Sequence, residues 1–190
     1  MRLFDLFTSG KSDGVSEQPK SFAEALADSF AILCHADEAV AQEIADCIDD
    51  TETYCEQQEE IFDERGLEYN EEAEPWLQLI AAVNAAEEAG YLYELDWKDG
   101  AKEFREVLKA VLAAHQIEFS LERLTFAADK TIPDWAAQFN QYAGQSGMTI
   151  YYIDIDSDSY VIGAANLFDY ARAAEIGGSV GIKISSRFED

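Results

Sequence analysis

The residues whose types and spacing suggest chemistry are few. Asp154-Ile155-Asp156-Ser157-Asp158-Ser159-Tyr160 begins like a calcium loop, in which alternating side-chain oxygens surround a hard cation. Counted from Asp154, an EF-hand loop needs Gly at its sixth position and Glu at its twelfth, where this chain has Ser159 and Ala165. The stretch reads as a solvated acidic hairpin tip, with weak divalent-cation binding as the alternative. Gly177-Gly178-Ser179-Val180-Gly181 spells the nucleophile pattern G-x-S-x-G. That pattern works on a strand-to-helix turn with a histidine further along the chain. Here a helix precedes it, a strand is expected after it, and both histidines, His35 and His115, lie upstream. It is expected to be a turn.

Cys34-His35 places a thiol beside an imidazole. Adjacent residues on a helix point apart, so a dyad would need His115 brought in by the fold. The expectation is a buried thiol and a helix-end histidine. Cys34, Cys47, Cys55, His35 and His115 have no zinc-site spacing, and no phosphate-binding glycine loop is present. No catalytic, cofactor-binding or metal-binding residue is assigned, and no cofactor is expected.

Charge is the more informative property. Thirteen Lys and Arg stand against 39 Asp and Glu, a net charge of −26. Phosphate contacts need clustered Lys and Arg, so direct nucleic-acid binding is disfavoured, as is an anionic membrane surface. The acids are concentrated: from Asp37 to Glu74 there are 16, and the only base is Arg65. Such a face attracts a basic protein partner by long-range steering, or it only solubilises the chain. The residues chosen as partner-binding candidates are Asp49, Asp50, Glu52, Glu56, Glu59 and Glu60.

These acids must be carried on helices. Ser21 with Glu24 three residues on has capping-box spacing, and Phe22, Leu26, Phe30 and Leu33 share one face of the helix it starts. A second helix is expected from about Asp37 to Phe62. Val40, Ile44, Cys47, Ile48, Cys55 and Phe62 form its apolar stripe, and Gly66 is its left-handed cap. Further helices are expected over 71–89, over 101–115 capped by Asp99, from Ile132 to about Gly144, and from Asn166 to Ile176. Strands are expected over 91–97, 149–155, 159–163 and 179–184. The stretch 116–130 stays open between strand and helix.

The fold class is α+β: N-terminal acidic helices, then a small mixed, partly antiparallel sheet packed against helices. Residues 1–20 read as a short apolar N-terminus and a flexible linker rich in Ser, Gly and Lys. Residues 21–190 read as one domain, acidic and helical over 21–74 and sheet-containing over 75–190. Met1 to Phe7 lacks the apolar length and cleavage site of an export signal, and no apolar run reaches the ~18 residues of a membrane span. A cytoplasmic location is therefore expected. Three cysteines without a C-x-x-C pair suit buried free thiols. Nothing in the sequence fixes an oligomeric state.

Gly90-Tyr91 followed by Glu94-Leu95-Asp96-Trp97-Lys98, with Trp76 upstream, resembles an uncharacterised bacterial family of domains of unknown function. The Asp154–Tyr160 hairpin is similar to that family's second motif. The likeness covers residues 76 to 184 and leaves the acidic helices outside. It implies a compact cytoplasmic α+β protein and carries over no functional residue. In physical terms, Trp97 is expected to pack under the turn after its strand, with Tyr160 beside it.

Three functional classes follow. The leading one is a non-enzymatic acidic binding protein that engages a basic partner, with a bacterial immunity protein masking a toxin as its most concrete form. The others are a housekeeping domain with no charge-driven partner, and an enzyme whose carboxylate or metal site only the fold would assemble.

Overall fold

A computed structural model describes residues 19–63 and 65–188. The expected N-terminal segment and linker thus lie almost wholly outside the described residues. The order of elements is α1 (Phe22–Leu33), α2 (Glu38–Asp49), α3 (Thr51–Gln57), α4 (Glu59–Asp63), α5 (Glu74–Glu88), β1 (Tyr93–Asp96), α6 (Ala101–Ala114), α7 (Ile132–Ala143), β2 (Met148–Ile153), β3 (Ser159–Asn166), α8 (Leu167–Gly178) and β4 (Ile184–Ser185). The class is α+β, as expected. The sheet, however, is antiparallel in all three pairings, with order β1-β3-β2-β4, and not mixed.

The sheet lies between two helical layers. Side chains alternate along a strand, so β2 and β3 feed both. Tyr151, Ile153, Val161 and Ala165 join the core built with α1, α2, α5 and α8. Ile150, Ile162 and Ala164, with Leu95, join the core of α6 and α7. Cover on both faces explains why β2 reads as a nearly continuous apolar run, unlike an antiparallel sheet with one wet face. Gly163 sits where β3 passes Tyr151, its register partner on β2. A Cβ there would collide with the Tyr151 hydroxyl and with Leu92. The position therefore accepts only glycine.

The expected helix from Asp37 to Phe62 is three helices. The first break is at Asp50, whose backbone is extended (φ −154°, ψ 82°) and whose carboxylate accepts from the Thr53 N–H at 3.0 Å. Aspartate competes with helix hydrogen bonding through such local bonds, which ends α2 and caps α3. Thr51 secures the break: its hydroxyl donates to the Cys47 carbonyl at 2.9 Å and accepts from Gln78 Nε2 of α5 at 3.0 Å. The apolar stripe survives the breaks, because Val40, Ile44, Cys47, Cys55 and Phe62 are all buried.

Other boundaries differ locally. The helix expected from 71 begins at Glu74, after a turn in which Asn70 Oδ1 accepts from the Ala73 N–H. Gly100, not Asp99, precedes α6; Asp99 instead accepts from the Asp96 N–H and closes the turn after β1. The open stretch 116–130 is irregular apart from a 3-10 turn at Leu121–Arg123. β3 runs on to Asn166, whose side chain accepts from the Asp169 N–H and caps α8 as expected. The last strand is only Ile184–Ser185, because the chain from Ser179 to Ile182 bonds back to the last turn of α8. Ser21 and Glu24 form the reciprocal capping box, and Gly66 has the expected left-handed backbone at φ 67°. Among the described residues no helix is long and apolar enough to cross a membrane.

Candidate functional site

The six candidate acids are all exposed. Asp49 ends α2, Asp50 is the joint between α2 and α3, Glu52 and Glu56 lie on α3, and Glu59 and Glu60 open α4. They are spread over three short helices, not ranked along one. Asp50 has a structural task besides its charge: the Thr53 N–H, then the Thr53 hydroxyl, hold its carboxyl below the ordinary range. Within the described residues none of the six enters an ion pair.

The acids extend beyond the six. The partly buried Tyr69 phenol is pushed up by desolvation and then by the charges of Glu74, Glu52, Glu71 and Asp50. One tyrosine thus feels carboxylates from the start of α3 and from the turn into α5. Glu71 and Glu74, already within the acidic stretch of the sequence, thus act on the same site as Glu52 and Asp50. The single base of the stretch is turned away: Arg65 Nη2 meets Glu94 Oε2 of β1 at 2.5 Å.

The thiols, the histidines and Ser179 take roles other than nucleophilic chemistry. Burial, then the charge of Asp37, pushes the Cys34 thiol up to about 12, and burial likewise holds Cys47 at about 12, so neither supplies a thiolate at neutral pH. His35 does meet His115 through the fold, with Nε2 3.1 Å from His115 Nδ1. His115 Nε2 lies 3.0 Å from the Tyr91 carbonyl, which can only accept. His115 therefore carries its proton on Nε2, and His35 donates to its Nδ1. Burial lowers the His115 imidazole to about 4, in keeping with this neutral tautomer. The pair ties the α1–α2 joint, where His35 and Ala36 both have φ 55°, to the end of α6. Ser179 donates to the Ile176 carbonyl at 2.6 Å as a helix terminator, and G-x-S-x-G is a turn. Among the described residues no group of three or more His, Cys, Asp or Glu is placed to hold a metal ion.

The two motifs meet in space. β1 pairs with β3 so that Leu95 faces Tyr160 and Asp96 faces Ser159. The hairpin tip, with Asp156 at φ 53° and its N–H bonded to Asp154 Oδ1 at 3.0 Å, stands beside the turn carrying Trp97. The two border a cleft of about 550 Å³. Tyr160, expected beside Trp97, packs against Tyr152, 6.0 Å between ring centroids, and Phe188, at 5.8 Å, and it shares the lining of the cleft with Trp97. Trp97 does not pack under its turn: it is 54% exposed. The four-residue strand ends at Asp96, and Asp96 Oδ1 accepts from the Lys98 N–H, which closes the turn before any layer covers the indole. The motif showed which residues are special but not that the tryptophan is left open.

No curated protein matches the chain. No solved structure matches it either. A family model described as a domain of unknown function, DUF6630, matches residues 25–188. The match takes in the acidic helices, which the resemblance had left outside. The chain belongs to the DUF6630 family of domains of unknown function.

Proposed function

We propose that this protein is a non-enzymatic acidic binding protein whose α2–α4 face engages a basic protein partner. One observation carries the reading. Asp49, Asp50, Glu52, Glu56, Glu59 and Glu60 are exposed and enter no ion pair with a described residue, while Arg65, the sole base of the stretch, is committed to Glu94. Uncompensated charge of one sign steers an oppositely charged partner and raises its association rate. A bacterial immunity protein that masks a basic toxin in the cytoplasm is the sharpest form of this reading.

The test replaces the six acids by Asn or Gln. Wild type and variant are used to capture proteins from the native cell, and binding kinetics follow on any basic protein recovered. Association should slow by about tenfold or more in the variant and lose most of its salt dependence, with dissociation changed less. Equal association rates, or capture of no basic protein, would show that the acids only solvate the domain.

A further inference from the structure

The cleft between the hairpin tip and the Trp97 turn differs from the acidic face: it has aromatic walls. Trp97, Tyr152 and Pro133 supply apolar surface, and Asp154 and Asp158 supply charge. The chain already places cations on two of these rings. Lys98 Nζ lies 4.9 Å from the Trp97 ring centroid, and Lys183 Nζ lies 5.6 Å from that of Tyr152. An aromatic face attracts cations through its quadrupole, and a guanidinium stacks on it particularly well. Lys183 also pairs with Asp154 at 3.2 Å, whereas Asp158 enters no ion pair with a described residue.

The surroundings select the sign of the guest. On the other side of the hairpin tip a second hollow of about 460 Å³ shares Ser157, Asp158 and Ser159 with the first and adds Asp96 and Glu94. There the chain's own Arg65 guanidinium is held by Glu94. Arg65 comes two residues after the end of α4, so this hollow borders the chain that leaves the acidic helices. An anion would meet the excess of carboxylates. A neutral guest would gain the aromatic contact but leave Asp158 without a partner.

We propose that this cleft is an anchor pocket for one arginine side chain of the basic partner, stacked on Trp97 with its guanidinium facing Asp158. The inference rests on the reading of the protein as a binder of basic proteins and adds what diffuse charge lacks. Steering accelerates encounter, but affinity resides in a few packed anchors, among which tryptophan and arginine are prominent.

The probe is the blocked peptide Ac-Gly-Gly-Arg-Gly-Gly-amide, titrated against the full chain while its amide and indole N–H resonances are followed by NMR. Its citrulline counterpart, of the same shape but uncharged, and maltotriose are titrated in parallel. The arginine peptide should shift the Trp97 indole and the Asp158 and Ser159 amides, and citrulline should bind at least about fivefold more weakly. Trp97→Ala should weaken binding by a similar factor, read on the Asp158 amide, and Trp97→Phe should restore most of it. The variant with six acids neutralised should bind the peptide within about twofold of wild type, because a small probe needs the pocket and not the steering face. Retained peptide binding with unchanged partner association would therefore sink the steering role alone. The pocket is overturned if citrulline or maltotriose binds as well as arginine, if Trp97→Ala leaves binding unchanged, or if the shifts fall only on α2–α4 and vanish in the neutralised variant.

Discussion

The acidic helical part, 21–74, and the sheet-containing part, 75–190, manage charge in opposite ways. The first has 18 acids against one base, and most of its described carboxylates are exposed, with Asp37 and Asp50 occupied in capping helices. The second has 18 acids and nine bases. It pairs Lys109 with Glu106, Lys130 with Asp134 and Lys183 with Asp154, and it encloses titratable groups. His115 is 7% exposed. Glu87 is raised to about 7 by burial and then by the neighbouring charge of Glu94. The lesson is that one chain can keep a single-sign surface stable by giving its helices an apolar stripe that joins the core on one face of the sandwiched sheet. Salt should therefore act on the first part and pH on the second.

The largest effect should come from the sheet. Gly163→Ala forces a methyl against the Tyr151 hydroxyl, and Tyr151 is fully buried and cannot swing out. A loss of about 3 kcal/mol in urea unfolding is expected, at the upper end for overpacking. Gly178→Ala, where a Cβ meets nothing within 4 Å, is the control and should be neutral or slightly stabilising. Equal behaviour of the two variants would show that the strand crossing is looser than the packing of Tyr151 requires.

Next in size is a pair of opposed pH effects. His115 falls to about 4 from 6.5, so the unfolded chain binds the extra proton between those values. Its contribution is complete above pH 6.5 and is lost as pH falls towards 4, by up to about 3 kcal/mol. Glu87 rises to about 7 from 4.5, so the folded chain binds the extra proton. Its contribution is complete below pH 4.5 and is lost as pH rises through 7, by a smaller amount because the side chain is only partly enclosed. Between pH 4.5 and 6.5 the two slopes oppose. Glu87→Gln should leave stability rising more steeply with pH across that interval, and His115→Gln should leave it falling relative to wild type. Urea midpoints measured from pH 4 to pH 8 check both signs, and parallel curves for all three proteins would refute the assignment.

Salt gives the third and smaller effect. The Debye length falls from ~30 Å at 0.01 M to ~10 Å at 0.1 M, so self-repulsion among the acids of 21–74 weakens over that range. The melting temperature should rise by a few degrees in wild type and by clearly less after neutralisation of the six candidates. An identical rise in both proteins would move the repulsion to other acids and remove the contrast between the two parts.

Much of this fold was legible in the sequence because local rules act on local residues. The capping box at Ser21 and Glu24, the left-handed Gly66 and the Asn166 cap need only their neighbours in the chain. So does the buried stripe of Val40, Ile44, Cys47, Cys55 and Phe62, whose spacing survives two helix breaks. What stayed hidden depends on contacts distant in sequence. Nothing near His35 announces His115, 80 residues away. The exposure of Trp97 depends on β1 ending before a layer covers it, and the antiparallel order depends on which strands pair. The break at Asp50 was partly readable, since an Asp-Asp-Thr run inside a helical stripe favours a cap over a helix interior. The apolar periodicity on both sides of it outweighed that signal.

Asp50 is also where the two accounts of the acidic part can be separated with the smallest perturbation. As a charge it belongs to the partner-binding candidates and contributes to the field at Tyr69. As a cap it accepts from the Thr53 N–H at 3.0 Å and from the Thr53 hydroxyl at 2.9 Å, and it starts α3. Asparagine keeps an oxygen for the cap and removes the charge, whereas alanine removes both. Asp50→Asn should leave the melting temperature within about 1 °C of wild type at 0.1 M salt, while Asp50→Ala should lower it by about 2–4 °C. If the residue steers a partner, Asp50→Asn should already slow association, and Asp50→Ala should slow it at least as much. If it acts only through the cap, Asp50→Asn should associate like wild type and only Asp50→Ala should differ, since a frayed α3 would displace Glu52 and Glu56 as well. Equal stability of the two variants would mean that Thr51, held by Cys47 and Gln78, maintains the joint without the cap.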